Sequence, residues 1–208
     1  METNIKKYIF RIIPLFFIAV SLTILPACKG SRAGTPEQKL NNAEKLGFPE
    51  GSKVIILHCD DAGMCEEANI AVKHYFETGD IRSAAVMVPC AYAMDLIEWA
   101  KTQDSPDIGV HLTHTSEWKT WRWGPVADPA KVPGLIDPDG MMWHSVPEVV
   151  TNATAEEIET EVRAQIDKVI AAGYRPSHID THMGTMYASP EYVKVFLKIA
   201  EEYGIPAN

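Results

Sequence analysis

Three short segments of the chain carry side chains from which chemistry can be built. His58-Cys59-Asp60-Asp61 closes an apolar run that begins at Lys53, and Ala62-Gly63 follows at once. Asp107-Ile108-Gly109-Val110-His111-Leu112-Thr113 is a second such run with one imidazole near its end. His178-Ile179-Asp180-Thr181-His182 is the third. Two adjacent carboxylates at the end of a buried strand are costly unless they are paired or bound to a cation; the competing structural reading is that they cap the next helix. In an extended strand, residues i, i+2 and i+4 share a face, so His178, Asp180 and His182 align. His111 alone would read as a hydrogen-bonded core histidine. Taken together, Asp61, His111 and His182 supply two imidazoles and a carboxylate. That set suits a divalent metal ion, magnesium or zinc, with positions left open for water and substrate.

These segments need a frame that brings their ends together, and the intervening sequence provides one. Lys53–Cys59, Ser83–Val88, Asp107–Thr113 and Ser177–Thr181 read as short buried strands. Glu66–Thr78, Tyr92–Thr102, Thr154–Ala172 and a helix opened by Ser189-Pro190-Glu191 alternate with them. Thr154 and Glu157 form a capping box, and Gly79, Gly173 and Gly204 end helices. Four β-α repeats imply an α/β fold with a parallel sheet, either doubly wound or a β/α barrel. A barrel needs about eight strands, and a fifth is due near Ile205-Pro206-Ala207-Asn208. The expected domain, 51–208, is therefore read as truncated. In both architectures, sites form at the carboxyl ends of the strands.

His114–Val150 shows no sustained period. It carries Trp118, Trp121, Trp123 and Trp143 and five prolines. A connection this long reads as a lid or binding loop. Trp121 and Trp123, at alternate positions, are expected to stack on a flat ligand such as a sugar ring; the competing reading is a satellite hydrophobic cluster. His74 and His144 read as surface and loop residues.

The N-terminus differs. Lys6, Lys7 and Arg11 precede an apolar stretch from Ile12 to Leu25, and Pro26-Ala27-Cys28 follows. This resembles a bacterial lipoprotein signal over 1–27, with a lipid on Cys28 and a polar tether over 28–50. The expected location is the bacterial cell envelope, anchored to a membrane and facing periplasm or exterior. The whole chain of 208 residues has net charge −9 and no Lys/Arg stripe, which excludes a nucleic-acid partner. Four cysteines, at 28, 59, 65 and 90, are too sparse for a disulfide scaffold and lack zinc-finger spacing.

His58–Gly63, Gly109–Thr113 and His178–His182 resemble, in order, spacing and strand placement, the three motifs of YdjC/ChbG-like carbohydrate deacetylases. The resemblance covers about 53–208. It implies a polysaccharide-deacetylase-like β/α barrel, removal of acetyl groups from N-acetylated amino sugars or oligosaccharides, and metal ligation by Asp61, His111 and His182. It also implies that Asp60 is the general base. Where the family often has more histidines after His182, this chain has Met183-Gly184-Thr185-Met186. His178 is then the candidate acid for the leaving amine, and Asp180 a candidate to orient an imidazole. The same ligands would also serve another metal-dependent amide or ester hydrolase. A glycan-binding lipoprotein with a vestigial site is the remaining alternative, against which Asp60 argues, because binding needs no base.

Overall fold

The structure, a computed structural model, describes residues 40–208, so the signal sequence and Cys28 lie outside the described residues. The chain divides into two compact units, 1–52 and 53–208. In the described part of the first, helix α1 (Asn42–Lys45) is closed by a capping box between Asn41 and Glu44. Among the described residues no helix is long and apolar enough to cross a membrane.

The second unit is a partial β/α barrel. Its elements are β1 (His58–Ala62), α2 (Glu66–Thr78), β2 (Ser83–Val86), α3 (Ala93–Ala100), β3 (Asp107–Leu112), α4 (Val146–Asn152), α5 (Ala155–Ala171), β4 (Ile179–Thr181) and α6 (Pro190–Tyr203). The four strands are parallel and lie in sequence order. Each crossover carries helix α2, α3, α5 or leads on to α6, as the alternating pattern dictates. The ladder continues past β4, because Ile179 forms a parallel bridge with Ala207.

One strand begins later than the apolar run implies. The sequence places a strand from Lys53, yet β1 starts at His58, and Ile55 is 82% exposed. The reason is pairing: β2 offers partners only from Ser83 onward, and β1 is the edge of the sheet among the described residues. Apolar composition alone does not make a ladder without a neighbour.

The helix-facing side of the sheet and the inner faces of the helices make one core. Ala84, Val86, Ile108, Val110 and Ile179 join Leu96, Ile97, Val162, Ile166 and Ile199 there. Burying each such aliphatic side chain contributes about 1.5–3 kcal/mol. Helix α5 starts at the predicted capping box, with Thr154 accepting from the Glu157 amide and Glu157 accepting from the Thr154 amide. Helix α6 starts at Ser189 and ends on Gly204 with φ +60°. The opposite face of the sheet is polar: His58, Gly109, His111, His178 and Asp180 meet there.

Two buried polar side chains on α5 hold what lies above β3. The Gln165 carboxamide accepts from the Thr113 amide and donates to the Thr113 carbonyl, at 3.1 and 2.6 Å. The Glu161 carboxylate accepts from the amides of Val126 and Ala127 at 2.9 and 2.8 Å. The long segment after β3 is thus pinned to the barrel wall.

Candidate active site at the carboxyl rim

The adjacent carboxylates of β1 should face opposite sides of the sheet if the strand were regular. They do not, because the register between β1 and β2 slips between Cys59 and Ala62 and Asp61 adopts φ +56°. A bulge with one left-handed residue turns the chain by an extra step, and Asp is among the few residues that tolerate this region. Asp61 is thereby swung to the side His58 and Asp60 already face. Behind it Gly63 is required: a Cβ there would lie 2.8 Å from both the Ala93 Cα and the Val86 side chain. The buried Asn69 of α2 fixes that turn, accepting from the Gly63 amide at 2.8 Å and donating to the Tyr92 carbonyl and to Asp95.

Asp61, His111 and His182 converge as their types suggested. Asp61 Oδ1 lies 3.3 Å from His111 Nε2 and 3.1 Å from His182 Nδ1. The other nitrogen of each ring rests on a carboxylate: His111 Nδ1 is 2.7 Å from Asp180 Oδ1, and His182 Nε2 is 3.1 Å from both oxygens of Glu117. A carboxylate behind each imidazole fixes ring orientation and raises its basicity, the arrangement found behind metal-bound histidines. The three ligand atoms are close enough for one cation to collect them.

The charges are strongly coupled. Hydrogen bonds from His111 and His182 hold the Asp61 carboxyl far below the usual range. Burial works against a charged His111, but Asp180 and Asp61 outweigh it and raise the imidazole to about 9. His182 is raised in the same way, burial being overcome by Asp61 and Glu117. Asp180 is half-buried, which opposes its charge, yet it is lowered to about 2 by His111 and His58.

The remaining predicted residues fall differently. The Asp60 side chain is 63% exposed, beside Asp61 and open to a reacting group. His178 does not reach the rim. Its ring lies against Gly109, where a Cβ would come within 2.4 Å of Nε2, and its Nδ1 meets Ser177 Oγ and Asp107 Oδ1. Asp107 and Gly109 belong to the start of β3, so His178 sits deeper than His182 and is not placed to protonate a leaving group at the rim. His114 is fully buried, with neither ring nitrogen hydrogen-bonded, and burial lowers it to about 3.

The tryptophans divide. Trp123 is only 4% exposed; it packs with Met87, Cys90 and Met142 and donates from Nε1 to the Thr115 carbonyl at 2.8 Å. It is a wall of the site, edge-on to His182 at 6.5 Å, and offers no free face to a sugar. The expectation for Trp123 is corrected because Ser116 Oγ accepts from its amide and turns the segment inward. Trp143 also packs against the core and bonds Gly134. Trp121, 48% exposed, donates to the Met64 carbonyl. It lines a cleft of roughly 330 Å³ with Trp118, Tyr92, Thr120 and Met64, and Met64 is three residues along the chain from Asp61.

Glu117 is the residue sequence reasoning missed. Its signal was weak: one acidic side chain in an aperiodic segment, four positions past Thr113.

Comparison with known proteins places the chain among relatives. A family model described as "YdjC-like protein" matches residues 54–208. A protein of Thermus thermophilus named carbohydrate deacetylase is 35% identical over 77% of this chain and 54% of its own length. One of Brevibacillus brevis with the same name is 32% identical, over 74% of this chain and 58% of its own. A crystal structure from Enterococcus faecalis V583, of a protein named for cellobiose-phosphate cleavage, superposes with TM-score 0.66 at 27% identity, covering 73% of this chain and 57% of that one. The chain thus spans somewhat over half the length of the relatives it matches.

Proposed function

The chain belongs to the YdjC-like family, and from this premise we propose that it hydrolyses the acetamido group of N-acetylated amino sugars or oligosaccharides. The observation that carries the reading is the meeting of Asp61, His111 and His182, each imidazole backed by a carboxylate. Two similar proteins bear the name carbohydrate deacetylase. The donor set fits a borderline divalent cation such as zinc better than magnesium, which prefers oxygen ligands. When bound, such an ion polarises a carbonyl and offsets negative charge developing on its oxygen.

The chain's own residues do the rest. Asp61, His111 and His182 would hold the cation, and Asp180 and Glu117 fix the orientation of the two rings. Asp60, exposed beside Asp61, accepts the proton of the attacking water, which is the role of a general base. Trp123 and Met87 close the inner wall and exclude bulk water from that side. Trp121 and Trp118 flank the cleft beside Met64, where an indole can stack on the apolar face of a sugar ring.

Acetate release from N-acetylated chito-oligosaccharides, with and without a chelator, tests the reading. Release that is unaffected by chelation, or absent with every N-acetylated substrate, overturns it. Asp60→Asn should retain the cation and lose about 10²–10⁴-fold in turnover, the usual worth of a positioned base. Near-normal turnover in that variant removes Asp60 from the role.

A further inference from the structure

Below the rim, on the same face of the sheet, a second set of ligand-type side chains meets. His58 of β1, His178 just ahead of β4 and Asp180 of β4 bring one nitrogen of each ring and an Asp180 carboxylate oxygen within 4.8 Å of one another. The two rings are edge-to-face, with centroids 5.2 Å apart.

The partners of these rings are arranged in a particular way. His58 Nδ1 is 2.7 Å from Ser83 Oγ. His178 Nδ1 is 3.0 Å from Ser177 Oγ and 3.2 Å from Asp107 Oδ1. Each ring is therefore held by one nitrogen. The other nitrogen of each, Nε2, is buried and makes no hydrogen bond. His178 is only 4% exposed, so its Nε2 has no water to turn to. A buried imidazole nitrogen without a partner is costly in a core, and His178 Nε2 is such an atom. His58 Nε2 is within ion-pair distance, 3.3 Å, of both Asp180 Oδ2 and Asp60 Oδ1. About 3.3 Å is the separation expected between two ligand atoms on a tetrahedral zinc with bonds near 2.0–2.1 Å.

We propose that His58, His178 and Asp180 form a second divalent-cation site, one layer below Asp61, His111 and His182. The two imidazoles and one carboxylate select a zinc-like ion over magnesium or calcium. The tethered Nδ1 of each ring matches the way metal-bound histidines are oriented by a hydroxyl or carboxylate behind them. Asp180, Asp107 and Asp60 surround the pocket with negative charge that an ion would offset. The Gly109 position is part of the site, since any side chain there would occupy the space of the His178 ring. Asp180 joins the two layers, with Oδ1 on His111 and Oδ2 facing His58.

The site stands independently of the deacetylase reading, and zinc stoichiometry separates the two. Zinc(II) is titrated into the full chain by calorimetry, with zinc content measured after dialysis. Two equivalents are expected for the unaltered chain, one for His182→Ala and one for His178→Gln. Should His178→Gln fail to fold, which a thermal melt reveals, the partly exposed His58→Asn gives the same readout. One equivalent that survives His178→Gln or His58→Asn and vanishes in His182→Ala overturns the deeper site. One equivalent lost in those two variants and kept in His182→Ala upholds the deeper site and overturns the rim assignment. No bound zinc in the unaltered chain overturns it as well.

Discussion

Four histidines face the same side of one sheet at two depths, and the two pairs are treated differently. At the rim, His111 and His182 have both ring nitrogens set against carboxylates: Asp61 in front, Asp180 and Glu117 behind. A layer down, His58 and His178 each have Nδ1 beside a serine hydroxyl; His58 Nε2 lies 3.3 Å from the carboxylates of Asp60 and Asp180, whereas the buried His178 Nε2 makes no hydrogen bond. Residue type does not separate the pairs; what stands behind each ring does. A carboxylate beside a ring stabilises its charged form, which is why His111 is raised to about 9, and makes the neutral ring a stronger ligand. A hydroxyl fixes orientation without supplying charge.

The difference can be broken most severely at its outer end. Replacing a rim ligand, as in His182→Ala, should cost at least about 10³-fold in kcat/KM, because stabilisation of a developing oxyanion is worth several kcal/mol. Steady-state acetate release checks this. Activity within tenfold of the unaltered chain would erase the functional distinction between the layers.

The next effect lies in the wall. Trp123→Ala should lower stability by about 3–5 kcal/mol, as for a buried aromatic side chain, whereas the exposed Trp121→Ala should stay within about 0.5 kcal/mol. Denaturant melts of both variants decide it. Equal losses would mean that the two indoles share one environment.

A third imidazole environment provides a control. His114 is buried with no partner at all and stays neutral, lowered by burial to about 3. In the unfolded chain it titrates near 6.5, so between those values the unfolded state binds the extra proton. Its contribution to stability is complete above pH 6.5 and is lost as pH falls toward 3, about 2 kcal/mol by pH 5. His114→Leu should flatten that part of the stability profile, measured by urea unfolding from pH 7 to 5. An unchanged slope would show that His114 is not held neutral.

The smallest effect concerns the support behind one ring. Glu117→Gln keeps shape and removes charge behind His182, and should weaken cation affinity by about 10–100-fold. Calorimetric titration would read it, and unchanged affinity would show that Glu117 supplies no basicity to His182.

Much of this was legible in the sequence, for reasons that can be named. The parallel order, α2, α5 and α6 and their ends follow from periodicity and capping residues, signals that lie within a few positions of the structure they cause. The set Asp61, His111 and His182 was legible because all three lie at strand ends, although the bulge that turns Asp61 to the shared face left no mark in the alternation. Legibility failed where placement depends on distant partners. The start of β1 required a neighbouring strand that begins only at Ser83. His178 was placed on the correct face, but its depth depends on pairing with β3. Trp121 and Trp123 share an alternate spacing, yet Ser116 and Met87 decide that one is inside. Glu117 needed the whole fold of the segment before its carboxylate could be seen against His182.

The bulge at Asp61 restricts what can stand at that position in two unrelated ways. The backbone at φ +56° admits glycine and a few side chains, chiefly Asn, Asp and His. A cation admits only side chains that donate an electron pair strongly, chiefly Asp, Glu, His and Cys. The lists overlap in aspartate and histidine alone, and of these only aspartate adds the negative charge that two raised imidazoles call for. Asparagine would satisfy the turn and lose the ion; glutamate would keep the ion's charge and strain the turn. A change at Asp61 therefore meets two independent filters, so neighbouring sequences that preserve the cation should vary around this residue far more readily than at it.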